Sequence, residues 1–140
     1  MSIIDKVFSF MSSNKEPKQL RNPFIGITYS YSPLRLKAYS NEKAILTIEL
    51  VYSGEISAIS SLEVNLQTGL SFDSTNINKK KIIRLGELNN NEKKSLELEI
   101  FSTVNTPKGS YKVELIANVH DKDYGQILRQ FKKSFEIRVE

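Results

Sequence analysis

The residues best equipped for chemistry stand together in HDKDYG, where His120, Asp121 and Asp123 could hold a cation or pass a proton. His120 is the chain's one histidine, so neither a histidine metal cluster nor a zinc site of the usual kind can be assembled around it. The D-x-D spacing lacks the further ligands of a calcium loop. Aspartates before a glycine are turn formers, and the favoured reading is a solvated hairpin turn. No serine stands in a G-x-S-x-G elbow. The glycines at 54, 69, 86, 109 and 125 fall at turns or strand breaks rather than in a phosphate-cradling loop. The expectation is no enzyme, no catalytic residue, no cofactor and no metal.

Charge offers a second kind of site. Lys79, Lys80 and Lys81, with Arg84 close behind, are the densest positive run and a candidate basic patch for an acidic partner. Aromatic residues for base stacking are not interleaved with them, so no nucleic acid is expected. The formal charge of +4, from 20 basic against 16 acidic side chains, is a mild excess. It favours solubility without naming a partner. Lys132 and Lys133 fall in the last apolar-alternating stretch, where charge discourages sheets from pairing edge to edge.

The third candidate is apolar. Wound into a helix, SIIDKVFSFM carries Ile3, Ile4, Val7, Phe8 and Met11 on one face, about 15 Å long at ~1.5 Å per residue. That face could dock on a partner protein or lie on a membrane surface, where Lys6, Lys15, Lys18 and Arg21 would add attraction to anionic lipid. SSNKEPKQLRNP behind it is polar, holds two prolines and reads as a linker. The division expected is an amphipathic segment and linker over 1–22 and one folded domain over 23–140.

These candidates must be positioned by β-structure. From Phe24 onward apolar residues alternate with a period of two. FIGITYSY sets Ile25, Ile27, Tyr29 and Tyr31 on one face, and Pro33 ends it. KAILTIELVY aligns Leu46, Ile48, Leu50 and Tyr52. SSLEVNL aligns Leu62, Val64 and Leu66, and a short strand follows around Ile82 to Leu85. SLELEIF aligns Leu96, Leu98 and Ile100, and YKVELIANV aligns Tyr111, Val113, Leu115, Ala117 and Val119. The final stretch ends on Phe135, Ile137 and Val139. Seven or eight short strands with turn signals about every ten residues predict an all-β antiparallel sandwich. FIGITYSY and the C-terminal strand are the two candidates for an edge able to pair with another chain.

The 140 residues suit one domain. The chain has no cysteine, which removes disulfides and thiolate ligands and suits a reducing interior. The start lacks a basic region and a cleavage site, so a cytoplasmic location is expected. No run approaches the roughly 20 apolar residues of a membrane span.

From Asn41 to Val119 the chain resembles the immunoglobulin-like, CARDB-like domains found in bacterial and archaeal cell-surface proteins and as accessory modules of large enzymes. NEKAILTIELVYSGE, TGLSF and LGELNNNEKKSLELEIF, followed by TPKGSYKVELIANV, carry the resemblance. It implies an immunoglobulin-like sandwich in which Tyr111, opening the penultimate strand, forms a tyrosine corner. The paired cysteines and core tryptophan of antibody domains are missing, so aliphatic packing around Val113 must fill that space. The length, the phenylalanines ahead of the strands and Ile137-x-Val139 are also reminiscent of small heat-shock proteins, whose late glycine-centred motif has no match. The expected function is a non-enzymatic protein-interaction module, with a membrane-surface adaptor or an oligomeric chaperone as alternatives.

Overall fold

In the computed structural model, residues 23–140 are described. The helix expected over SIIDKVFSFM, with Ile3, Ile4, Val7, Phe8 and Met11, lies outside them. The described residues form eight strands and no helix. They are β1 (Phe24–Ser32), β2 (Arg35–Leu36), β3 (Lys43–Ser53), β4 (Ala58–Leu66), β5 (Lys80–Leu88), β6 (Lys93–Phe101), β7 (Gly109–His120) and β8 (Ile127–Val139).

The strands divide into two sheets, β1-β3-β6 and β2-β8-β7-β4-β5. This is an A-B-E sheet against a C′-C-F-G sheet in immunoglobulin terms. All neighbours run antiparallel except the two-residue β2, which pairs parallel with the end of β8. Period-two alternation decides which side of each strand is buried. Leu46, Ile48, Leu50 and Tyr52 of β3 face Leu62 and Val64 of β4 and Val113, Leu115 and Val119 of β7 in one apolar core, each fully buried. Each aliphatic side chain so buried contributes about 1.5–3 kcal/mol. Val113 is fully buried in this largely aliphatic core.

The tyrosine corner is present. Tyr111 is buried at the start of β7 and its hydroxyl donates to the Pro107 carbonyl at 2.6 Å. Gly69, at φ +120°, passes so close to the ring that an added Cβ would overlap it. At the other end of the sandwich Tyr52 repeats the device, donating to the Ile56 carbonyl at 2.8 Å with Gly54 against its ring. Burial pushes both phenols above their ordinary range, and the neighbouring Tyr39 adds to the effect at Tyr111.

One expectation is corrected here. His120 is not part of a solvated turn: it closes β7 and is 3% exposed. The turn begins only after it, with Asp123 accepting from the Gly125 N–H.

Candidate functional site

Of the two edge candidates, β1 is the terminal strand of its sheet and β8 is next to last, with only the two-residue β2 beyond it. β1 flanks the three-stranded sheet, and β8 is the outer long strand of the five-stranded one. β2 covers β8 only at Arg138 and Val139.

The direction of the uncovered backbone groups follows from two contacts. The Glu136 carbonyl accepts from the Tyr31 hydroxyl at 3.1 Å, across the slit between the sheets. Glu140 donates to the Leu36 carbonyl and accepts from the Ala38 N–H, both at 2.8 Å. Even-numbered residues at this end of β8 therefore turn N–H and C=O away from β7, because ladder groups alternate sides along an antiparallel strand. Gln130, Lys132 and Ser134 continue that series. Their N–H and C=O groups face outward with no strand partner among the described residues.

Across the slit, aromatic side chains lock β1 to β8. Phe135 stacks on Tyr29 with ring centroids 4.1 Å apart and on Tyr31 at 5.1 Å. Phe24 meets Phe131 edge-on at 5.1 Å. Between these contacts Lys133 Nζ donates to the Ile27 carbonyl at 3.0 Å. Toward the Phe24 end the slit widens into an opening of about 360 Å³ lined by Phe24, Ile25, Ile27, Phe131, Lys132 and Lys133. Arg129 lies over the Phe131 ring, its guanidinium carbon 5.4 Å from the ring centroid.

The opposite edge of the same sheet is differently made. β5 bulges between Arg84 and Gly86 opposite Ser61 and Ser60, and Gly86 sits at φ +75°. A bulged edge pairs poorly with another strand.

The candidate basic patch is dispersed by its strand. Lys79 Nζ turns into the 70–79 loop, donating to the Leu70 carbonyl, the Asn76 carbonyl and Asn76 Oδ1. In that loop the Asp73 carboxylate, held below its usual range by hydrogen bonds from Thr75, Asn78 and Ser71, fixes the chain. Lys80 lies 3.7 Å from Glu63, Lys81 over the Phe72 ring at 5.6 Å, and Arg84 over the Tyr124 ring at 4.5 Å. The four cations thus serve four separate contacts.

His120 belongs to a polar row that the sequence reading missed. Ser61 Oγ bonds His120 Nε2 at 2.7 Å, Asn118 Nδ2 donates to Ser61 Oγ at 3.4 Å, and Gln130 Nε2 donates to Asn118 Oδ1 at 2.9 Å. His120 Nδ1 is buried without a partner among the described residues. Tyr124 covers the row, its ring edge-on to the imidazole and its hydroxyl accepting from the Gly86 N–H. The usable signal was parity: with Val113 to Val119 inward, Asn118 and His120 share the other face of β7. No group of three or more metal-ligating side chains occurs among the described residues. Ile137 and Val139, the pair that suggested a heat-shock tail, are fully buried in this chain's own core.

Neither a protein-family model nor a curated protein matches the chain. Solved structures do. The portion of Escherichia coli alpha-2-macroglobulin from domain MG7 to the C-terminus matches with TM-score 0.59 and 12% identity over 82% of this chain, which spans only 16% of that one. A CARDB domain of Pyrococcus furiosus, crystallised with di-metal ions, matches with TM-score 0.55 and 15% identity, over 89% of this chain and 95% of that domain. At such identities the likeness concerns the fold. The described residues form an immunoglobulin-like β-sandwich, the fold these structures share.

Proposed function

We propose that this chain is a non-enzymatic interaction module that takes up an extended segment of a partner protein along the outer edge of β8. The observation that carries this reading is the row of outward N–H and C=O groups at Gln130, Lys132 and Ser134 beside an apolar opening. Added strands gain affinity from main-chain hydrogen bonds and specificity from pockets for alternate side chains, and both parts lie side by side here. The non-enzymatic part is supported by the immunoglobulin-like fold of the structural relatives and by the one histidine being committed to a buried row.

The test uses the full chain as bait, as wild type and as Ser134→Pro. The proline removes an outward N–H and no ladder bond, and it leaves the charge of the edge unchanged. Proteins enriched by the wild-type bait should fall by roughly tenfold on the variant, the effect of about 1.4 kcal/mol in binding. An undiminished set of captured proteins would remove strand addition as the binding mode.

A further inference from the structure

The strand-addition reading leaves the occupant unspecified, and the charges around the opening narrow it. From Ile127 to Phe135 β8 carries Arg129, Lys132 and Lys133 and no acidic residue. The apolar floor of the opening, Ile25, Ile27, Phe24 and Phe131, lies beside Lys132 and Lys133, and Arg129 lies over the Phe131 ring. Resting on that reading, we infer that the edge accepts a partner segment in which Asp or Glu alternates with aliphatic residues.

The geometry sets the pattern. Successive side chains of an added strand point to opposite faces. One set enters the slit, over Ile25, Ile27 and Phe131. The other lies on the outer face beside Gln130, Lys132 and Ser134. Aliphatic side chains suit the first set, because a carboxylate there would be desolvated against the aromatic rings. Acidic side chains suit the second, opposite Lys132, with Arg129 adding attraction at the rim. The outward series from Gln130 to Ser134 accommodates about five residues, roughly 17 Å of strand.

The same charges disfavour two other occupants. A second copy pairing antiparallel through β8 would set Lys132 against its own counterpart, and like charges directly opposite destabilise a pair. The chain's first 22 residues carry Lys6, Lys15, Lys18 and Arg21 against Asp5 and Glu16, a net positive sequence of the same sign as the edge.

The experiment is fluorescence anisotropy of the full chain with a labelled peptide of alternating Glu and Val, and with its Lys and Val counterpart. The Glu peptide is expected to bind and the Lys peptide not. Binding should weaken at least roughly tenfold in Arg129→Gln/Lys132→Gln, and also when salt shortens the Debye length from about 10 Å to about 3 Å. Ser134→Pro should weaken it by roughly tenfold as well. Equal binding of both peptides, or of neither, overturns the acidic chemistry. A dimer of the unliganded chain that Ser134→Pro dissolves assigns the edge to a second copy and overturns it too. So does Glu-peptide binding that emerges only when Ile4→Asp/Phe8→Asp is introduced, since the chain's own first segment would then be the occupant. If the Glu peptide fails while Ser134→Pro still lowers partner capture by roughly tenfold, the strand-addition reading stands and only the chemistry of the occupant is refuted.

Discussion

A pair of proline substitutions one residue apart tests the hydrogen-bond parity of β8 directly. Ser134 turns its N–H outward, so Ser134→Pro removes no ladder bond and restricts φ at an exposed edge, at a cost of about 1 kcal/mol or less. Lys133 pairs with Leu115 of β7, and its N–H belongs to the inward series. Lys133→Pro loses that bond, worth about 1 kcal/mol net, and leaves a Leu115 carbonyl in the buried sheet without its donor, at about 1–3 kcal/mol more. Lys133→Ala and Ser134→Ala serve as references, because the Lys133 side chain also bridges to the Ile27 carbonyl. After subtracting them, the two prolines should differ by about 2–3 kcal/mol, or roughly 8–12 °C in Tm for a domain of this size. Thermal and urea unfolding followed by circular dichroism give both numbers. Equal destabilisation by the two prolines would mean that position 134 donates within the folded sheet, and the open edge would not exist.

Three further outcomes follow from the packing. Tyr111→Phe should cost about 1 kcal/mol through the lost bond to Pro107, while Gly69→Ala should cost more, because both φ and the overlap with the Tyr111 ring oppose it. Burial raises the folded pKa of Tyr111 above the 10.0 of an ordinary phenol, so its contribution is complete below pH 10 and declines as pH rises through the folded value. Chemical denaturation across alkaline pH should show a shallower decline in Tyr111→Phe. Phe135→Ala, which unstacks Tyr29 and Tyr31, should destabilise by about 2–4 kcal/mol; Phe135→Leu, keeping most of the buried area, should lose about 1 kcal/mol, as read by urea unfolding. Ser61→Ala takes away the one hydrogen-bond partner of the His120 ring among the described residues and should cost about 1–3 kcal/mol. Combined with His120→Phe it should cost less than the two changes added, as a double-mutant cycle will show.

The strands and the core were legible because period-two alternation is a local property. Leu46, Ile48, Leu50 and Tyr52 have one dry face whatever sheet they join, so the pattern alone assigns them inward. Tyr111 was legible through its TPKGSY context, since a corner is built from residues close in sequence. In the basic run, neighbours in sequence are parted by the strand: Lys80 and Lys81 point to opposite faces, and Lys79 turns to the loop carbonyls it bonds.

His120 shows the limit from the other side. Its neighbours Asp121 and Asp123 mark a turn, and only the folding of Tyr124 back across β7, with Ser61 arriving from β4, makes the ring a buried one. Nothing within a few residues of His120 encodes that cover. Strand edges are likewise a relation among distant segments. By itself the sequence determined that β1 and β8 would be strands and which faces they would bury. Only the tertiary structure decided that β2 covers β8 at Arg138 and Val139 alone, that β1 and β8 meet through stacked aromatics, and that Gln130, Lys132 and Ser134 are left with outward hydrogen-bonding groups. The reason is physical: a side chain's inward or outward face follows from its own strand's pleat, whereas the pairing of its backbone depends on what the rest of the chain brings alongside.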